Sequence, residues 1–560
     1  MQRFATGTSD FLTLRARQAV YVDKTEAFVA RLLNDVVDAA LFCRPRRFGK
    51  TLNMTTLRAF VEPAANPEAV RAAFAGLAIE RADERVWRHF QSHPVIWLSF
   101  KDVKQAHWAA TSLHLAALIA EEASRHAAIA PDLNDIDRAV FQDLLRTDSL
   151  THRHEDALRQ LARLLHLATG QKPLVLIDEY DTPIHSAFEH GYVDEAVAFF
   201  RAFLGAGLKD NPHVERSVMT GILRVAKESV FSGLNHLTVH TMLDAPAGAV
   251  VEYADAFGFT QREVDALCDQ DAVDTPTRDA MKAMYNGYRL GGLELYNPWS
   301  LTRFLAAPTH GVAPHWVQTS DNALVGHLLT HHGVLAGSTL EALLRGETVT
   351  AFVDEHTVLR EVSRRTDALL SFLLLAGYLT VESVELHEMR WRARLRAPNG
   401  EVRLALRGLM ERFISDQADA AETPLVRAVL TGNAPLVERE LGLVLERVLS
   451  YHLTGGHAPE RVYQAFVAGL LVVLSDTHAV TTEHESGLGR ADVLVTPRRP
   501  GLPGVVMELK AGKRSSVKAA LEQLRTMDYA ARLREAGATP VRLMAAVFDG
   551  KRVRVGFAEG

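Results

Sequence analysis

Short, largely apolar runs punctuate the first part of the chain. They are Val37 to Phe42, the stretch HPVIWLSF over 93–100, LVLI over 174–177 and RSVMTGI over 216–222. Each is too short for a stable helix and rich in β-branched or aromatic residues. Runs of this kind fit strands buried on both faces of a parallel sheet. Between them the apolar positions recur at helical spacing, as in Leu52, Met54, Leu57, Phe60 and Val61 after the first run. The segment Glu26 to Leu33 predicts a helix feeding that first strand. Helical patterns fill about 109–169, and ~60 residues between two strands is long for a simple crossover, so an insertion is expected there.

The pattern changes further on. From about 320 to 455 the chain reads as mainly helical, with a helix over Asp367 to Thr380 ending at Gly377. Two alternating runs, Met389 to Leu395 and Val402 to Leu406, flank Pro398-Asn399-Gly400, which predicts a hairpin turning at Asn-Gly. Helix and hairpin together suggest a winged-helix-like element. Arg390, Arg392, Arg394 and Arg396 then share one strand face. They either touch nucleic acid or form the solvated face of an edge hairpin. Residues 456–560 read as a separate α/β unit with an apolar helix over Tyr463 to Leu474 and strands in ESGLGRADVLV (485–495) and GVVMELK (504–510). The expected division is 1–245, 246–455 and 456–560. The longest apolar runs, Leu369 to Leu379 and Ala465 to Leu474, fall short of the ~20 residues that span a bilayer, so no membrane association is expected.

Composition narrows the class. A chain of 560 residues predicts several domains. An apolar content of 48% and a charged content of 23% are those of a globular protein. The net charge of −6 excludes bulk polyanion binding, so any nucleic-acid contact must be a local patch. Two cysteines, Cys43 and Cys268, make neither a disulfide framework nor a four-cysteine zinc site. The opening MQRFATGTSD lacks a signal-peptide core, and a reducing cytoplasm is the expectation. Scattered histidines such as His152, His154, His331 and His332 read as structural or surface residues.

The chemistry begins at LFCRPRRFGKT, 41–51. Strand, turn and helix in that order aim backbone N–H groups and a helix N-terminus at one anion site. Lys50 would reach the outer phosphates of a nucleotide and Thr51 would hold Mg2+, with Gly49 closing the loop. The pattern G-x-x-x-x-G-K-[ST] has one departure, Arg44 at the first glycine. The alternative is a basic surface turn before an ordinary helix. The run LVLI ends in Asp178-Glu179, two acids at the C-terminal end of a buried strand. Asp178 would bind Mg2+ and Glu179 would orient or activate the attacking water. Thr220 at the tip of the neighbouring strand would sense the terminal phosphate. Arg224 either offsets charge in the transition state or makes a surface ion pair. Asp23 and Lys24 read as an N-cap and a solvated charge, or as residues near the nucleotide.

The strings YVDKT, RPRRFGKTLN, PVIWLSFKDV, LIDEYDTPI, TGILRVAKESVFSGLN, YNGY (285–288) and YNPWS (296–300) resemble a large prokaryotic group of AAA-ATPase-like proteins that carry a C-terminal nuclease-like domain. The resemblance covers most of 1–320 and resumes near the C-terminus. In that group Arg in place of the first P-loop glycine is usual, so Arg44 counts with the nucleotide-binding residues.

The second centre lies in the last unit. Glu508 and Lys510 stand two apart on GVVMELK and leave one face. Asp492 lies about 16 residues upstream on another strand. This is the D…ExK arrangement of the PD-(D/E)XK nuclease superfamily, which the resemblance also implies. Asp492 and Glu508, with the Leu509 carbonyl, would hold Mg2+ or Mn2+, and Lys510 would position water or stabilise the pentacovalent phosphate. Glu485 would add a ligand or support one. Gln523 and Tyr529 match positions where the superfamily carries a supporting Gln and an aromatic. The alternative is an edge strand with a solvated salt bridge. From 481 to 560 there are 14 Lys/Arg against 9 Asp/Glu, with Lys513, Arg514 and Lys518 just beyond the candidate site.

The sequence therefore predicts an α/β protein: a P-loop NTPase parallel-sheet core, a helical or winged-helix-like middle and a C-terminal restriction-endonuclease-like domain. ATP and Mg2+ are the expected cofactors, and nucleic acid, DNA before RNA, is the expected partner. A homo-oligomer is compatible with a P-loop ATPase. The rival is an ATP-driven switch whose nuclease-like domain only binds nucleic acid or a protein.

Overall fold

The largely apolar runs become neighbouring strands of one parallel sheet. Strands β1 (Ala39–Cys43), β2 (Val95–Ser99), β3 (Leu174–Asp178), β4 (Arg216–Gly221) and β5 (Leu237–His240) lie in the order β2-β3-β4-β1-β5, every pair parallel. All five residues of β1 and of β3 are buried, which is why neither shows alternation. The short β5 is only half-buried and gave no comparable signal. Helix α1 (Lys50–Val61) follows β1 and buries Met54, Leu57, Phe60 and Val61. The expected insertion between β2 and β3 is helical, with helices over Trp108–Arg125, Asp135–Leu144 and Ala157–Thr169.

The structure is a computed structural model. It describes residues 3–5, 7–147, 152–223, 236–243, 251–316, 339, 342–355, 359–362, 365–388, 390–409, 424–448, 460–471, 474, 477–486, 489–512, 515–526, 530–549 and 552–560. The chain forms two compact units, one of 1–324 with 346–405, the other of 325–345 with 406–560. Among the described residues no helix is long and apolar enough to cross a membrane.

The first unit carries two further small sheets. β6 (Phe259–Thr260), β7 (Tyr288–Leu290) and β8 (Leu293–Tyr296) order as β6-β8-β7, with α2 (Gln261–Gln270) following β6. β9 (Val349–Val353), β10 (Thr380–His387) and β11 (Arg390–Arg396) order as β10-β11-β9, and α3 (Thr366–Leu375) precedes β10. The expected hairpin is displaced. Its strands are β10 and β11, and residues 400–409 are helical. Asn399 does not turn a hairpin; its Oδ1 accepts from Val402 N at 3.0 Å and caps that helix. The Pro-Asn-Gly signal marks a helix start here, because Asn serves both jobs.

The arginine stripe falls on β11, the centre of its sheet rather than an edge. Arg394 pairs with Glu382 at 2.8 Å, Arg392 with Glu385 at 3.4 Å and Arg390 with Asp367 at 3.7 Å. The Arg396 guanidinium donates to the Ala397 and Pro398 carbonyls. These exposed pairs favour the reading of a solvated face, each contributing little.

In the second unit β12 (His478–Ser486), β13 (Gly489–Pro497), β14 (Gly504–Ala511), β15 (Val541–Asp549) and β16 (Arg552–Glu559) follow in sequence order across the sheet. Only β14 and β15 are parallel. Helix α4 (Glu460–Leu471) joins the core of Val493, Val505, Met507 and Phe548, along with Val437, Leu441 and Leu445 of the helix Ala434–Val448. Helix α5 (Val517–Thr526) supplies Leu524 to a second core with Leu494, Val506 and Leu543.

Lys24 is not solvated. It is buried, and its ammonium donates to both Glu263 oxygens, at 2.7 and 2.8 Å, and to the Asp255 carbonyl. Glu263 is also the capping-box acid of α2, so one carboxylate ties the N-terminal segment to that helix. Asp23 accepts from Thr25 N close by and from Ala78 N at long range, so it caps its own segment and ties it to the turn at Ala78. Lys24→Met removes one partner of a buried pair and is expected to lower the unfolding free energy by about 3–5 kcal/mol. Urea titration of the full chain checks this. An unchanged midpoint would show that the pair contributes nothing.

Candidate nucleotide and metal sites

The first site is built where β1, β3 and β4 end. Phe42 pairs with Thr220 and Cys43 with Gly221, so the loop after β1 starts beside the tip of β4. Gly49 adopts φ +85°, a left-handed conformation that a side chain would strain, and it leads directly into α1. Arg44, at the position of the missing glycine, is not among the positive-φ residues. The backbone there needs no glycine. Its side chain is fully buried and donates to the carbonyls of His240 at 2.8 Å and Thr241 at 3.0 Å, at the C-terminal end of β5.

Lys50 is buried, and its Nζ donates to the Arg44 and Pro45 carbonyls, each at 2.9 Å. Burial pulls its ammonium below the usual lysine range, opposed by Glu179, Asp178 and Asp181. Thr51 Oγ1 donates to Asp178 Oδ2 at 2.7 Å. Thr220 Oγ1 donates to the other oxygen, Asp178 Oδ1, and accepts from Glu179 N at 3.3 Å. The P-loop hydroxyl, the buried acid of β3 and the β4 threonine therefore meet. Thr51 and Asp178 form a hard oxygen pair of the kind that holds Mg2+ beside phosphates.

Glu179 stands at φ +53°, an unusual conformation for a non-glycine residue. Burial, and next the charge of Asp178, push its carboxyl above the usual range, while Lys50 opposes the shift. Three groups here escaped the sequence reading. Asp181 Oδ2 accepts from Ile222 N at 2.8 Å and Leu223 N at 2.9 Å, fixing the turn after β4. Tyr180 OH donates to the Leu223 carbonyl. Arg46 lies close enough for its charge to act on Lys50, Glu179 and His185. All three sit inside the quoted strings, but a lone Asp or Arg in a loop carries no spacing signal.

The loop is braced by the two small sheets of its own unit. Arg47 stacks over the Trp299 ring at 4.4 Å, and Phe48 meets Tyr288 edge-on at 4.8 Å. Gly377, at φ +86°, lets the turn after α3 approach Pro45; a Cβ there would lie 2.6 Å from the proline Cβ. The motifs YNGY and YNPWS thus pack against the P-loop, which their sequence alone did not indicate.

The second site forms where β13 and β14 part. The last pair of their ladder is Val493 with Met507, so Asp492 and Glu508 face each other one step on. Asp492 Oδ2 accepts from Leu509 N at 2.6 Å. Glu508 is 2% exposed; its Oε1 accepts from Gln523 Nε2 at 2.7 Å and lies 2.8 Å from Lys510 Nζ. Its Oε2 is buried and has no hydrogen-bond partner among the described residues. An orphaned carboxylate oxygen opposite a second acid fits a divalent cation, with water and phosphate oxygens completing the shell. Gln464 of α4, absent from the sequence reading, donates to Asp492 O at 2.9 Å. Its signal was a polar residue inside an otherwise apolar helix.

Arg224, Lys513, Arg514, Tyr529, His331 and His332 lie outside the described residues, as do the side chains of Glu485, Arg490 and His152. In the backbone Glu485 pairs with Arg490 across β12 and β13. Lys518 is exposed on α5.

Residues 5–231 match the family model described as a predicted AAA-ATPase, and residues 458–558 match that of the PD-(D/E)XK nuclease superfamily. The chain carries one domain of each kind. It is also 28% identical, over 408 residues that make up 71% of this chain and 68% of the other, to an uncharacterized protein in the vnfD 5' region of Azotobacter chroococcum mcd 1. No solved structure matches the chain. The AAA-ATPase-like match contains β1 to β4 with the P-loop and Asp178-Glu179, and the nuclease-superfamily match contains Gln464, Asp492, Glu508 and Lys510.

The raised Glu179 carboxyl has a sign. Its ionised form opposes folding, so the penalty is absent below the unfolded value of about 4.3 and complete above the folded one. Glu179→Gln is therefore expected to melt higher than the parent at pH 7, with the difference vanishing by about pH 4. Thermal midpoints across that range check it; a pH-independent difference would exclude the assignment.

Proposed function

We propose that this protein binds and hydrolyses ATP at the first site and cleaves nucleic acid, DNA before RNA, at the second, with ATP gating the cut. The observation that carries the reading is the pairing of two chemistries on one chain. In one unit the P-loop hydroxyl of Thr51 reaches the buried Asp178; in the other Glu508 is held between Lys510 and Gln523.

At the first site Thr51 and Asp178 hold the Mg2+ that accompanies ATP, and Lys50 swings from the loop carbonyls to the outer phosphates. Glu179 orients the attacking water and Thr220 registers the terminal phosphate. At the second, Asp492 and Glu508 would hold a divalent cation, Mg2+ or Mn2+, which would supply Lewis acidity beside the scissile phosphate. Lys510 offsets charge on the scissile phosphate, and Gln523 fixes the Glu508 carboxylate.

Purified full-length protein, incubated with plasmid or linear DNA and Mg2+ or Mn2+, with and without ATP, tests the reading. Lys510→Ala is expected to slow cleavage by on the order of 100-fold or more. Lys50→Ala is expected to abolish ATP hydrolysis and, with it, the effect of ATP on cutting. ATP hydrolysis without cleavage under any condition would replace this reading with an ATP-driven switch whose nuclease-like domain only binds.

A further inference from the structure

The elements around the second site place one more side chain against its acids. Helix α4 is seated by Tyr463, which stacks on Phe548 with ring centres 4.2 Å apart, and by Val467 and Leu471 in the same core. These positions recur at helical spacing and fix the rotation of α4. Gln464, one residue on from Tyr463, is then turned to Asp492 on β13, beside the last β13–β14 pair. It is 8% exposed, and its Nε2 donates to Asp492 O at 2.9 Å and approaches Asp492 Oδ1 at 3.4 Å.

Each acid of the site is thereby held by a carboxamide. Asp492 meets Gln464 chiefly through its main-chain carbonyl and at longer range through Oδ1, and it meets the Leu509 amide through Oδ2. Glu508 meets Gln523 and Lys510 through Oε1, and its Oε2 is left buried. A neutral carboxamide can fix a carboxylate without adding charge. A third carboxylate in its place would repel the other two.

We propose that Gln464 is a positioning residue of the metal centre: it fixes Asp492 for the cation from the α4 side, as Gln523 fixes Glu508 from the α5 side. The proposal rests on the metal-dependent nuclease reading of this site. Groups that orient a metal ligand typically alter metal affinity 10- to 100-fold when removed. Gln464 touches neither the cation nor the phosphate in this arrangement, so its loss acts through metal occupancy and not through the chemical step.

The test is Mn2+ binding to the full-length protein, read by electron paramagnetic resonance, for the parent, Gln464→Met, Gln464→Ala and Asp492→Asn. Methionine keeps the length and helix preference of Gln464 but has no N–H to donate, so it guards against a packing defect. Asp492→Asn is expected to remove the site. Gln464→Met and Gln464→Ala are expected to weaken it about 10- to 100-fold with an unchanged thermal midpoint for Gln464→Met. Cleavage by Gln464→Met is expected to fall at low Mg2+ and recover at saturating Mg2+. If Asp492→Asn lowers affinity while both Gln464 variants stay within twofold of the parent, the role of Gln464 is overturned and the metal site stands. If Asp492→Asn leaves Mn2+ binding unchanged, the metal reading itself fails.

Discussion

Burying a carboxylate to 1% exposure is costly unless its oxygens are bonded, and Asp178 satisfies both of its own with two threonine hydroxyls. One comes from α1 and the other from β4. The requirement therefore binds three elements of the parallel sheet to one point. β1 must deliver α1 at the right height, β4 must end level with β1, and β3 must carry its acid to the same edge. The parallel register Phe42 to Thr220 does this. The constraint also places Glu179 in its left-handed conformation, with its N–H on Thr220. The bonds that satisfy the buried acid are the same ones that gather the P-loop hydroxyl and the β4 threonine at one point.

The P-loop itself is held from outside the sheet. Arg44 reaches inward to two carbonyls at the C-terminal end of β5, while Pro45, Arg47 and Phe48 touch Gly377, Trp299 and Tyr288. A loop of this kind usually depends on glycine for its turn. Here an arginine takes the first position and anchors it instead, because the backbone at 44 stays in an ordinary conformation. The braces mean that movement of the loop on binding nucleotide would be felt by the small sheets of the same unit.

The second centre reaches order by a different route. Its acids sit where β13 and β14 stop pairing, and a backbone amide that would otherwise continue the ladder binds Asp492. Carboxamides from two helices then steady the carboxylates without adding to their mutual repulsion. Lys510 offsets part of the remaining charge.

Local patterns were legible because they report local physics. A strand buried in a parallel sheet is largely apolar, so β1 to β4, and with them the places of Lys50, Asp178, Glu179 and Thr220, could be read from sequence. Period two on one strand put Glu508 and Lys510 on a single face. The readings that went astray involved residues whose chemistry suits more than one setting. Asn399 caps a helix where it was expected to turn a hairpin, and Lys24 is buried against Glu263 where a solvated charge was expected. The partner of Lys24 lies far along the chain, and Asn399, besides its local cap, donates to the distant Asn286 carbonyl. Gln464 and Asp181 were not legible at all, since their roles exist only once α4 lies on its sheet and the turn after β4 closes. The sequence by itself determined which segments are strands and which residue types can grip phosphate or metal. Only the tertiary structure decided which long-range partners hold them, because hydrogen bonds between distant elements follow from packing geometry, which no local spacing encodes.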